Sequence, residues 1–170
     1  METLTAFPIV TLPSGPDVCC PPFDPLPWDG KLFEVENLPM VQATTHSFLY
    51  IPLDMGRVMA KTQKAIDASG MGLKDRYLVL SQDLSPFKAH HHFLVAGPVP
   101  GQRNLLQSGS FLTKVFEGPY QEIPRWIGEM KSFVEKEGHI MKGIWTFYTT
   151  CPGCAKKYGK NYVVLLAEIE

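Results

Sequence analysis

A chain of 170 residues, 45% of them hydrophobic and 19% charged, can bury one substantial core and gives no sign of global disorder. Its formal charge is −1 and its Lys and Arg form no basic block, which argues against a nucleic-acid-binding surface. No run approaches the roughly 18 apolar residues of a membrane span, and no basic segment leads into a hydrophobic one near the start, so a cytoplasmic protein is expected.

Residues 1–37 read as a proline-rich arm, since seven of the fifteen prolines fall before residue 31. Proline removes backbone donors and disfavours helix in the residue before it, so Pro21-Pro22 and Pro25-Leu26-Pro27 imply an extended path. Phe7, Phe23 and Trp28 are too apolar for a solvated tail, and the arm is expected to pack across the body. Trp28-Asp29-Gly30 would turn it into the fold, and Lys31 to Glu36 would add a flanking strand.

A first unit spans residues 38–99. It opens with a strand from Leu38 to Leu53 and reaches an acid, Asp54. A helix from about Arg57 to Ser69 follows, with Val58, Thr62, Ala65 and Ile66 on one face and Gly70 as its stop. Two strands, Tyr77 to Leu80 and His92 to Ala96, flank a hairpin loop containing Pro86. Gly97-Pro98-Val99-Pro100-Gly101 is a rigid linker.

A second unit spans residues 100–170 in the same order. Its strand ends at Glu117 before Gly118-Pro119, and Ile123, Trp126, Ile127, Met130, Phe133 and Val134 then recur at helical spacing. Pro124 suits the first turn and Gly138 the end. Gly143 to Thr149 and Tyr162 to Ile169 are strand-length apolar runs joined by a loop with Cys151-Pro152-Gly153-Cys154. Ser47-Phe48-Leu49 and Ser110-Phe111-Leu112 lie in matching strands. The shared order predicts an α+β protein in which two tandem βαββ repeats form one antiparallel eight-stranded sheet with two long helices on one face.

Four cysteines in a reducing compartment favour metal binding, redox chemistry or free thiols over structural disulfides. Cys151 and Cys154 can share one zinc ion across a tight turn, and Cys19 and Cys20 would complete a closed site that clamps the arm. Neighbours in an extended chain point to opposite sides, which counts against using both Cys19 and Cys20. A redox dithiol is the rival reading, since Lys156 and Lys157 would favour a thiolate. Against it, only residues 155–161 separate Cys154 from the next strand, too few for the substantial helix of a thioredoxin-type motif. Inert thiols are the third reading. His90, His91 and His92 alternate faces on a strand and read as a solvent-facing strand start rather than a metal cluster.

The sequence Phe116-Glu117-Gly118-Pro119-Tyr120, its amphipathic helix and Thr146-Phe147-Tyr148 followed by Pro152 resemble the GyrI-like small-molecule-binding family. That family includes effector-binding domains of AraC-type and MerR-type regulators, and the resemblance covers about residues 40 to 170. The segments Cys20 to Gly30 and Tyr148 to Ala155 further resemble a stand-alone bacterial subgroup. The resemblance implies a ligand cleft at the seam of the two repeats, lined by Tyr50, Tyr120, Trp126, Thr146, Tyr148 and Tyr162. Any one of these would serve equally in core packing. An acid two residues before the strand tyrosine often meets cationic drugs in the family, and Thr146 stands at that position here.

The expected partner is a hydrophobic, aromatic small molecule that the protein senses or sequesters. The alternative is a hydrolase of strained cyclic electrophiles, with Glu117 or Glu168 as its acid. A redox or interaction protein built on the Cys151 hairpin is a further alternative.

Overall fold

The computed structural model describes residues 2–11 and 19–170. Met1 and residues 12–18, part of the proline-rich arm, lie outside the described residues. In chain order the elements are β1 (Thr3–Leu4), β2 (Leu32–Phe48), β3 (Ile51–Pro52), α1 (Met55–Ser69), β4 (Val79–Ser85) and β5 (Lys88–Leu94). Then follow β6 (Arg103–Glu117), α2 (Ile123–Lys136), β7 (Met141–Tyr148), α3 (Pro152–Tyr158) and β8 (Tyr162–Ile169). Strand, helix, strand, strand thus occurs twice, as β2-α1-β4-β5 and β6-α2-β7-β8.

The strands belong to one eight-stranded sheet in the order β1-β2-β5-β4-β7-β8-β6, with β3 on β2, and β6 pairs back onto β2. Eight strands in an antiparallel sheet are as expected, but six of them close into a ring, which the expectation did not include. Strand length explains the difference. β2 and β6 run for 17 and 15 residues, enough for each to pair within its own repeat and with the other. β2 meets β6 from Leu32↔Leu112 to Gln42↔Arg103 and β5 from Met40↔Leu94 to His46↔Lys88. The opposite closure is thin, a single pairing of Ser81 on β4 with Thr146 on β7. The sheet is antiparallel except where β1 runs parallel to the start of β2.

β2 starts at Leu32 rather than Leu38, so the flanking segment is its first part. An irregularity between Val35 and Leu38 joins the two parts. There Asn37 has φ 52 and donates its backbone N–H to Ser108 Oγ at 2.8 Å.

Strand alternation sorts the apolar side chains onto two faces. Inside the ring lie Phe33, Met40, Leu80, Phe111, Trp145, Phe147, Val164 and Leu166. Outside, α1 covers Val41, Ala43, Val79 and Phe93, and α2 covers Leu112, Val163, Leu165 and Ala167. Both long helices share the outer face. β8 is buried on both faces, which is why its sequence reads as a continuous apolar run. Gly70 ends α1 with φ 72, where a residue with a Cβ would be strained.

The arm supplies the rest of the inner core. Trp28 is 1% exposed, and its ring lies 5.8 Å from Phe7 and Phe33 and 5.4 Å from Phe147. Gly30 N donates to Thr113 O at 3.0 Å, Val115 N to Asp29 Oδ1 at 2.9 Å, and the Thr113 hydroxyl to Trp28 O. Phe23 packs on Phe147 and Tyr162. The described arm residues thus close one side of the ring interior.

Beneath α1, His91 is 2% exposed between two hydroxyls, with Nε2 2.8 Å from Thr45 Oγ1 and Nδ1 2.7 Å from Ser81 Oγ. Burial, reinforced by His90 and His92 and opposed by Asp54, pushes its pKa down to about 4. The unfolded imidazole titrates near 6.5 and so takes up a proton that the folded one refuses. Stability should be full above pH 6.5 and fall as pH drops toward 4, by about 2 kcal/mol between pH 7.5 and 5. Urea unfolding at the two pH values measures this loss, and His91→Gln should flatten the slope; an unchanged slope would refute the assignment.

Candidate functional site

The outer faces of β4 and β7 lie between α1 and α2, at the line where the two repeats touch. Ser81 and Thr146 are partners there, and alternation puts Asp83 and Tyr148 on the same face as they are. Tyr120, in the single turn of 3-10 helix that leads into α2, sets its ring 5.8 Å from Tyr148 in an edge contact. The Tyr120 hydroxyl donates to Thr150 O at 2.7 Å, which fixes the ring against the end of β7.

The electrostatics at this seam are distinctive. Partial burial first, then the nearby charge of Asp83 and the Tyr120 phenol, push Tyr148 up to about 12, while a hydrogen bond with Thr146 pulls the other way, and 36% of the residue stays exposed. Partial desolvation raises the Asp83 carboxyl above its usual range, although the residue as a whole is exposed. Among the described residues no cation is paired with Asp83. The seam therefore carries two phenols, two hydroxyls and one unneutralised carboxylate.

Of the sequence-derived ligand residues, Tyr120, Thr146 and Tyr148 meet here and the others do not. Trp126 is 2% exposed beneath α2, stacked on Phe116 at 5.3 Å. A Cβ on Gly118 would come within 3.1 Å of its ring, so the Gly118-Pro119 turn needs glycine to let the indole in. Tyr162 faces the ring interior, 5.8 Å from Phe23. Tyr50 stands at the tip of the β2–β3 hairpin, 60% exposed. Glu117 is exposed at the rim of an open surface groove with Ala155, Lys160 and Asn161. Glu168 lies on the inner face, its Oε2 3.5 Å from the Trp145 indole nitrogen and close to Gly109 and Gly143. Asp83 was not singled out from sequence. The signal was present, for it sits on the penultimate strand of the first repeat, as Thr146 does on that of the second.

The four cysteines converge near one end of this seam. Their sulfurs all lie within 4.8 Å of one another, a set that could hold a metal ion. Cys19 Sγ is 3.7 Å from Cys20 Sγ and 3.5 Å from each of Cys151 and Cys154. The chain bends at Cys19–Cys20, which removes the objection that neighbours must point apart. His90, His91 and His92 take no part in this cluster. The stretch read from sequence as a loop contains α3, with Cys151 as its N-cap accepting from Cys154 N at 3.4 Å. Tyr158 on α3 donates its hydroxyl to Cys20 O, and Cys151 N donates to Cys20 Sγ at 3.2 Å. Burial opposes ionisation of Cys154, but bonds from Cys19, Cys20 and Cys151 outweigh it and bring the thiol to about 7.

Among the described residues no helix is long and apolar enough to cross a membrane. No curated protein matches the sequence. Among solved structures, the C-terminal domain of EcmrR superposes with a TM-score of 0.65 at 10% identity, covering 82% of this chain and 95% of that one. A hydrolase encoded by lin2189 of Listeria innocua gives 0.52 at 12% identity, covering 84% and 93%. SAV2435, solved bound to tetraphenylphosphonium, gives 0.45 at 11% identity, covering 82% and 92%. At such identities the likeness concerns the fold, which is the GyrI-like effector-binding fold. The bacterial hydrolase family matches residues 11–169, nearly the whole length, and the chain belongs to that family.

Proposed function

We propose that the protein binds a hydrophobic, aromatic cation at the seam between α1 and α2, sensing or sequestering it. The observation that carries this reading is that the Asp83 carboxylate shares the outer face of the seam with Tyr148, against which Tyr120 packs, and that its charge is felt at the Tyr148 phenol. Small-molecule sites combine apolar and aromatic walls with a few convergent polar groups. A carboxylate beside aromatic faces suits a delocalised cation, and Asp83 supplies the charge that Thr146 lacks. Tetraphenylphosphonium, the ligand of SAV2435, is a suitable probe. Titration calorimetry should show binding, and Asp83→Asn should weaken it roughly 10-fold or more while triphenylphosphine oxide binds both forms alike. Equal affinity of the two forms for the cation would sink the proposal.

A hydrolase reading draws on the family match. If it holds, Asp83 is the acid on the same face as the tyrosines, ahead of Glu117 at the rim and Glu168 on the opposite face. Mass spectrometry of recovered ligand separates the readings, since an unchanged ligand supports binding and a water-added product supports hydrolysis.

The cysteine cluster fits structural zinc. Tetrahedral thiolates at about 2.3 Å from one ion lie about 3.8 Å apart, close to the 3.5–3.7 Å separations around Cys19. Four sulfur ligands leave no open position for a substrate, so the ion would hold Cys19, Cys20, Cys151 and Cys154 together and clamp the arm to α3.

A further inference from the structure

At the end of the first repeat the polarity of the surface reverses. Phe48, Leu49, Tyr50, Ile51 and Leu53 are 58–70% exposed on consecutive or near-consecutive positions, and Phe87 beside them is 52% exposed. The two segments are joined. Ser47 N donates to Phe87 O at 2.9 Å, Tyr50 N to Pro86 O at 2.8 Å, and the Phe48 and Phe87 rings lie 6.2 Å apart. The corresponding end of the second repeat is covered by α3 and the arm. The first repeat has only the short Ser85–Lys88 turn there, and its apolar side chains stay bare.

A second observation concerns the backbone. Phe48 pairs with Ile51, so Leu49 and Tyr50 form a two-residue hairpin loop, with φ 49 and 68. Such loops favour Asn-Gly, because both central residues are left-handed. Bulky apolar residues at both positions are strained, and inside this molecule they contact no core cluster. Backbone strain that the fold does not require points to a role for the side chains it displays.

We infer that this hairpin, with Phe87, is the surface on which two copies of the chain pair about a two-fold axis. The six residues expose on the order of 700 Å², somewhat under one partner's share of a standard protein interface. A single apolar patch of that size is self-complementary in the manner an isologous dimer requires. The charges beside it are few and mixed, Asp54 bonded to His46 and facing Arg57, with Lys88 next to Phe87, and so fall short of the Lys- and Arg-rich face of a membrane-surface site.

The full chain is examined by sedimentation velocity from about 1 to about 100 µM, beside Leu49→Asn/Tyr50→Gly and Leu53→Lys. The wild type should sediment at twice the 19.0 kDa chain mass and both variants at the chain mass. The double variant relieves the strained turn and should still unfold in one cooperative thermal transition, which separates lost association from lost folding. A wild type at the chain mass throughout overturns the inference, as does a dimer that survives in both variants. So does a monomer that binds phosphatidylcholine vesicles through the hairpin.

Discussion

Trp28→Ala is expected to remove about 3–5 kcal/mol of folding stability, a core-sized loss from a residue of the arm. Trp28 is 1% exposed and touches Phe7, Phe23, Phe33 and Phe147. The walls around it are strands of a closed ring, which cannot easily collapse into the space an indole leaves. The backbone anchors at Gly30 and Asp29 would persist in the variant, so the change isolates the buried ring. Guanidinium unfolding with a common m-value measures the difference, with Leu26→Ala as the control because Leu26 is 78% exposed. A loss below about 1 kcal/mol would mean that the arm contributes little to the core.

Removing zinc from the clamp proposed at the four cysteines should have a comparable effect. Protein purified without an affinity tag should carry about one equivalent of zinc, and Cys154→Ser should lose it. The clamp joins Cys20 to Cys151 across 131 positions. If it restricts the unfolded chain as a cross-link does, its release costs about 5 kcal/mol. For a chain of this length that corresponds to a fall of about 10 °C or more in Tm. Limited proteolysis adds a positional readout, because cleavage should appear near Cys19 and Cys20 while Trp28 stays docked. Less than about a tenth of an equivalent of zinc on fully folded wild type refutes the clamp.

The helices were legible because their signals are local. Spacing and Gly70 place α1, and Pro124 with Ile123, Trp126, Met130 and Val134 places α2. β7 and β8 were legible from their apolar runs. Ring closure was not, since it depends on β2 and β6 pairing along lengths that no local pattern specifies. α3 escaped because Pro152-Gly153 reads equally as a tight turn, although proline near the start and Gly159 past the end are a helix signature.

The seam was half legible. Tyr120, Thr146 and Tyr148 follow from a strand-to-helix pattern in one repeat, whereas Asp83 comes from the other repeat, and the β4–β7 contact puts it on the same face. The bend at Cys19–Cys20 is a tertiary consequence as well, because the chain turns there to meet α3. Aromatic character alone did not distinguish the seam tyrosines from Trp126 in the core or Tyr50 at a hairpin tip.

The long reach of the arm has a consequence for synthesis. Trp28 and Cys20 leave the ribosome early, but Phe147, Cys151 and Cys154, which they dock against, leave near the end. At about 5–20 residues per second the arm waits roughly ten seconds for its partners. During that interval Phe7, Phe23 and Trp28 are an apolar segment without the strands that bury it. These arm residues are thus made well before the places they come to occupy.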